Sequence, residues 1–339
     1  MPEQLPDSDF LQPTTAADEF ARVEQADQAA IHGDLITRFE EQEDGQEYRK
    51  KLGGAFWVSA GWLGLIALLA LLAPILPLRS PDVGVKVDRD TGAVCPENTP
   101  DPNCTLLSLE APFVNPDVPL GTNKLGRDML SMVIWGGRTS LLVGFASIFF
   151  GIVIGGAVGL LAGYRKGRTE AGLMGCMDVM LAFPPLILAL AIVTFRDDKS
   201  VSTIVLALGI VAIPSIARLV RANTIQYTER EFVMAARTLG AKDFRIVMRE
   251  VVPNVVPAVI SFSILGVAVA IVAEGFLAFL GLSVDEVTWG QMINDARSDF
   301  TDYPYLILIP STVLTLTVMT LNLMSDQLRK LFDVKESAL

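Results

Sequence analysis

Six stretches of this chain carry no charged side chain: Leu52–Leu78, Thr139–Tyr164, Val179–Phe195, Ser200–Ala217, Val251–Ala273 and Tyr303–Ser325. An α-helix rises about 1.5 Å per residue, so runs of this length match a hydrocarbon layer of about 30 Å. Within lipid every backbone N–H and C=O must find a partner inside the segment, and a helix achieves that alone. Soluble helices of such length keep a polar face, which these runs lack. The sequence predicts an all-α, polytopic membrane bundle of six transmembrane helices.

Basic residues set the expected orientation. Arg49 to Lys51 precede the first run, Arg165, Lys166 and Arg168 follow the second, Arg218 to Arg249 surround the loop after the fourth, and Arg329 and Lys330 follow the sixth. Basic loops favour the cytoplasmic side. An even number of spans then places all four clusters, and both termini, in the cytoplasm. The first run is too long for a signal-peptide core and lacks a small-residue cleavage site, so it reads as a signal anchor. Residues 1–51 hold 13 acidic and 5 basic side chains, about −8 of the net charge of −11. They read as an acidic cytoplasmic tail, either solvated and partly helical or a docking segment for a cytosolic partner. The remaining charge is nearly balanced and does not point to nucleic acid.

The resulting layout is a first span at 52–78, an extracytoplasmic loop at 79–138, a core at 139–326 that includes a cytoplasmic element at 229–253, and a cytoplasmic C-terminus at 327–339. The extracytoplasmic loop is rich in Pro and Gly and admits at most short strands. Cys95 and Cys104 lie nine positions apart in it, where oxidising conditions favour a disulfide over two free thiols. Closing so short a loop stabilises by about 2.5–3 kcal/mol. Cys176, near the third run, reads as an inert packing residue.

In the second run Gly151, Gly155, Gly159 and Gly163 recur at every fourth residue. That spacing forms one helix face on which another backbone approaches closely. Glu274 follows more than twenty uncharged residues and falls in the outer part of the fifth run. A carboxylate there should face protein or water, as a structural hydrogen-bond partner or as part of a translocation path. Arg138 and Asp178 read as interfacial. The single histidine, His32, lies in the tail. HExxH, a membrane-side Ser–His pair and GxxxxGK[ST] are all missing from the sequence, so no catalytic residue, metal ligand set or nucleotide cradle is expected in this chain. A bundle of this kind moves something with energy taken from another polypeptide.

One loop departs from the apolar pattern. In "EFVMAARTLGAKDFRIVMREVVPN" (231–254), Phe232, Ala235, Ala236 and Leu239 fall at i, i+3, i+4 and i+7, one face of a short helix beginning at Glu231. Gly240 can take the left-handed conformation that ends such a helix. Phe244, Val247, Met248 and Val251 then line a second face, and Pro253 marks the return to the membrane. Physics leaves two uses for such an element: rest on lipid headgroups, or insertion into a cleft on a partner.

The stretch resembles the E-A-A-x3-G loop of ATP-binding-cassette (ABC) importer permeases through Ala235, Ala236, Gly240 and Pro253, with Met234 where that family carries glutamate and Glu231 one turn earlier. "PLGTNKLGRDMLSMVIWGGRTSLLVG" (119–144), "MDVMLAFPPLILAL" (177–190), "AEGFLAFLGLSVDEVTWGQMINDAR" (273–297) and "NLMSDQLRKLFD" (322–333) are similar to the C-type subunits of dipeptide and oligopeptide importers, with Asn123 in place of the usual Asp. The resemblance covers residues 45–335 and leaves out the tail and the cysteine-bearing insert at 84–112. It implies a bacterial cell-membrane permease subunit, without enzymatic activity, paired with a homologous B-type permease, two cytoplasmic ATPases that bind the ATP and Mg, and an extracytoplasmic peptide-binding protein. Glu231, Phe232, Ala235, Ala236, Leu239, Gly240 and Phe244 would then couple the chain to an ATPase. Import of a nickel chelate or haem by a permease of the same family, or an ATPase-independent secondary transporter, are the alternatives.

Overall fold

A computed structural model describes residues 53–336, apart from Gly92, 97–101, Asp197 and Ser283. The acidic tail, with His32, lies outside the described residues. Helix dominates: α1 (Gly54–Leu72), α2 (Met129–Arg165), α3 (Gly167–Leu181), α4 (Pro185–Arg196), α5 (Val201–Thr228), α6 (Glu231–Thr238), α7 (Asp243–Ile246), α8 (Val252–Phe279), α9 (Trp289–Asp295) and α10 (Tyr305–Glu336), with a π-helical segment, Val247–Val251, joining α7 to α8. Two short strands, β1 (Lys86–Asp88) and β2 (Cys104–Leu106), pair antiparallel. Among the described residues, five helical stretches are long and apolar enough to cross a membrane. A sixth span exists only if α3 and α4 count as one, and these are bent by 85°.

That bend corrects the straight third span expected at Val179–Phe195. Composition is continuous across the stretch, but Pro184 and Pro185 interrupt it. Proline disfavours helix in the residue before it and removes a backbone donor, so α3 stops at Leu181 and α4 starts at Pro185.

The second helix also differs from its apolar run, starting at Met129 rather than Thr139. Residues 129–138, assigned above to the loop, are thus helical. Asp128 caps this end, accepting from the Leu130 and Ser131 N–H groups at 3.2 and 3.1 Å. Burial pushes its carboxyl above the usual range, against the pull of those two donors. Arg138, which ended the uncharged run, is exposed on the helix surface, its guanidinium over the Trp135 ring. Likewise α5 runs eleven residues past Ala217, because Arg218 and Arg221 project to Asp178 and Glu170 on α3. The first helix ends earlier than Leu78, at the turn before Pro74.

The longest helix, α2, has 37 residues, about 55 Å at the α-helical rise. It lies against α5 along most of its length, while α8 packs on α2, α5 and α10, and α10 on α1. The core between α2, α8, α9 and α10 holds Met129, Ile148, Val267, Ile271, Trp289 and Leu321.

Candidate functional site

The glycine face makes the α2–α5 contact possible. A Cβ added to Gly155 would lie 2.6 Å from the Ile213 carbonyl oxygen, and one on Gly159 2.5 Å from that of Ala217. At Gly163 it would meet Thr224 Cβ at 2.7 Å, and at Gly151 the Ile216 Cδ1 at 2.9 Å. The four glycines therefore sit against four successive turns of α5, and the backbone of one helix fills the groove of the other.

At the C-terminal end of this pair lies the glycine-broken element. Arg230 in extended conformation separates α5 from α6, and α6 ends at a turn in which the Ala241 N–H donates to the Ala236 carbonyl at 3.1 Å. Gly240 takes φ +79°, with open space where a Cβ would be. Its requirement is therefore backbone conformation, not close approach.

The faces of the element differ from the periodic reading. Val233, which the pattern did not single out, is fully buried and anchors α6 in a cluster with Tyr227, Ile246, Val251 and Val255. Ala236 packs against the same cluster, so it turns inward. Glu231, Phe232, Ala235 and Leu239 remain exposed, Leu239 at 87%.

Beyond the glycine, the expected face of Phe244, Val247, Met248 and Val251 is split. Phe244 and Met248 are exposed, whereas Ile246 and Val251 are buried. The π segment explains this. Its i→i+5 bonding widens the turn, so two residues five apart share a face that an ordinary α-helix would rotate away. Nor does Pro253 end the element: it lies just past the π segment, and helix continues to Phe279.

This end is tied together by polar contacts. The Tyr164 hydroxyl donates to Asp243 Oδ1 at 2.7 Å, the Arg237 guanidinium carbon lies 5.5 Å from the Tyr164 ring centre, and Lys166 pairs with Glu229 at 2.7 Å. A cleft of about 910 Å³ opens beside it, lined in part by Asn223, Arg230, Phe232, Asn254, Phe262 and Arg329. A second, apolar groove of about 500 Å³ runs between α4, α5 and α8, past Leu186, Ala212, Phe262 and Phe276.

Glu274 does not belong to that groove's lining. It is 1% exposed and accepts from the Thr288 hydroxyl at 2.8 Å, while the Thr288 oxygen accepts from the Gln291 N–H at 3.0 Å as the cap of α9. Ser140 receives the Trp289 N–H, and the Trp289 indole donates to the Val133 carbonyl at 2.9 Å. Gly290 faces Gly275 so closely that a Cβ would lie 2.5 Å from its Cα. The carboxylate thus sits in a buried polar junction between α2, α8 and α9.

At the opposite end of α2 the loop folds on the hairpin. Cys95 and Cys104 are linked by a disulfide, the Thr122 hydroxyl donates to the Leu107 carbonyl at 2.7 Å, and Tyr305 donates to the Thr122 carbonyl at 3.0 Å. Cys176 is exposed on α3 within this chain, not packed as expected. Among the described residues no group of three or more His, Cys, Asp or Glu is placed to hold a metal ion.

A family model described as binding-protein-dependent transport system inner membrane component matches residues 155–337. Glutathione transport system permease protein GsiD of Pectobacterium atrosepticum is 38% identical over 218 residues, covering 64% of this chain and 72% of the relative. Its Escherichia coli counterpart is 37% identical over 217 residues, covering 63% and 71%. Among solved structures, an inward-facing form of the MetNI methionine ABC transporter superposes with a TM-score of 0.52 at 18% identity. That match covers 60% of this chain and 97% of the transporter chain, and at such identity it speaks for the fold alone.

Proposed function

The chain belongs to the binding-protein-dependent transport inner membrane components and is a permease subunit of an ABC importer, and we propose that its cargo is a small peptide. Two relatives named for glutathione, itself a tripeptide, support that substrate class. In this reading the chain spans the membrane six times with α3 and α4 as one broken span, both termini lie in the cytoplasm, and a homologous B-type permease completes the pathway. Two ATPases that bind ATP and Mg act from the cytoplasmic side, and an extracytoplasmic binding protein delivers substrate to the disulfide-bearing end.

The observation that carries the reading is the division of labour around Gly240. Val233, Ile246 and Val251 root the element in the bundle, while Phe232, Ala235, Leu239 and Phe244 present an apolar face outward. A face of that chemistry, at the end bearing most of the loop arginines, suits a cleft on an ATPase. Closure of the ATPases on ATP would then shift the bundle between two states through differential contacts at this face.

A cysteine at Ala235 should crosslink to an ATPase subunit in membranes. Ala235→Glu and Gly240→Val should insert normally but lose ATP-driven uptake of a labelled tripeptide. Absence of the crosslink, together with wild-type uptake by both variants, would leave the element a headgroup-bound helix and remove the coupling role.

A further inference from the structure

The contacts at the end of α2 point to a joint between that helix and the two halves of the glycine-broken element. Three side chains meet there from both sides of Gly240: Arg237 from α6, Asp243 from α7, and Tyr164 from the last turn of α2. The hydroxyl of Tyr164 donates to Asp243 at 2.7 Å, and its ring lies beneath the Arg237 guanidinium. One side chain therefore holds both halves of the element.

The chain beside it is held in an unusual conformation. Lys166 has φ +49° and Gly167 φ +65°, and Lys166 pairs with Glu229 at 2.7 Å, at the end of α5. A non-glycine residue in that region persists only where its surroundings determine it. The corner after α2 is thus tied both to the element and to the start of the link that leads into it. Since α2 and α5 interlock through Gly151 to Gly163, anything fixed to Tyr164 is fixed to both helices.

We propose that Tyr164 is a positioning residue that makes the element and the α2–α5 pair move as one body. The proposal rests on the coupling role above, and the bracing of Asp243 and Arg237 comes through a tyrosine 79 residues before Asp243.

The test uses the complete transporter in lipid vesicles, with Cys176→Ser and spin labels at Arg245 and Leu142, both exposed. The Arg245–Leu142 distance should be single and unchanged by ATP and Mg in the otherwise unmodified chain. Tyr164→Phe keeps the ring under Arg237 and removes only the donor. It should raise a detached population about tenfold, the factor equivalent to ~1.4 kcal/mol, without lowering the Tm of the complex. Asp243→Leu should do the same, whereas Asp243→Asn, which keeps an acceptor, should retain the single distance. A distance that shifts with nucleotide before any substitution, or that stays single in Tyr164→Phe, would overturn the proposal. Failure of the Ala235 crosslink with these distances intact would instead count against the coupling role alone.

Discussion

Replacing Gly159 tests how tightly α2 and α5 are locked. A Cβ there would lie 2.5 Å from the Ala217 carbonyl oxygen, 2.7 Å from Val220 Cβ and 3.0 Å from the Arg221 nitrogen. A carbon–oxygen contact relaxes at about 3.3 Å or more, so the helices must part by roughly 0.8 Å. Two of the three obstacles are backbone, and no rotamer change relieves them. A gap of about that size forfeits a quarter to a half of each dispersion contact along the seam, and overpacking of this kind costs about 1–3 kcal/mol. Alanine offsets about 1 kcal/mol of this by its higher helix propensity. Gly159→Ala should therefore destabilise by up to about 2 kcal/mol, and Gly155→Ala with it should approach twice the single effect. The neighbouring Gly156 supplies the control, since its Cβ would meet nothing within 4 Å. Gly156→Ala should be neutral or stabilising by up to about 1 kcal/mol. Thermal unfolding of the purified complex in a single detergent reads all three. The packing argument fails if Gly156→Ala lowers Tm as much as Gly159→Ala, or if the double variant leaves it unchanged.

Three further outcomes are expected. Non-reducing peptide mapping of freshly isolated membranes should recover Cys95 and Cys104 as one linked peptide pair, and alkylation of both thiols without prior reduction would contradict the bond. Glu274→Gln keeps an acceptor for the Thr288 hydroxyl and should leave Tm nearly unchanged, while Glu274→Leu strands that buried donor and should cost about 1–3 kcal/mol; equal stability of the two would show that the hydrogen bond is immaterial. Deleting Met248 converts the five-residue spacing of Ile246 and Val251 to four, which an ordinary helix also keeps on one face, so assembly should survive. An alanine inserted after Val247 should abolish assembly, and equal tolerance of insertion and deletion would refute the phase argument.

Much of the bundle could be read from charge alone, because lipid allows no unpaired charge to interrupt a span. The same signal misplaced helix ends wherever a charge is accommodated. Arg138 lies on the surface of α2 over Trp135, and Arg218 and Arg221 reach carboxylates on α3, so helix continues through all three. The 85° bend was hidden because hydropathy does not distinguish Pro184 and Pro185 from their neighbours as sharply as backbone geometry does. At the element, spacing located the helix and Gly240 but misassigned its faces: a 3.6-residue period cannot anticipate the π segment, and it passed over Val233, the residue that anchors α6. Tyr164 and its partner Asp243 are 79 positions apart, a distance over which local pattern carries no information. The polar junction at Glu274 was half legible. Its isolation in an apolar run showed that it must be satisfied, but Thr288, fourteen residues on and past a turn, supplies the partner.

The placement of stiff and compliant parts limits how a displacement at Gly240 can spread. Interlocked backbones cannot slide without separating, so α2 and α5 must translate or rotate together. The polar contacts at Tyr164 and Lys166 add α6 and α7 to that body on the proposed reading. Compliance remains where main-chain bonding departs from the α pattern: at the π segment between α7 and α8, at Pro214 and Pro257 inside α5 and α8, and at the bend between α3 and α4. The π segment lies directly on the path into α8, which lines the apolar groove through Phe262 and Phe276 together with α4 and α5. Motion of the element can therefore reach that groove from two sides with different stiffness, through α5, which is interlocked with α2 but carries Pro214, and through a wide turn into α8. Unequal transmission changes the groove's width, whereas equal transmission would only carry the whole bundle along. On the proposed reading, a substrate path that opens and closes requires that inequality, and the π segment Val247–Val251 is where it would arise.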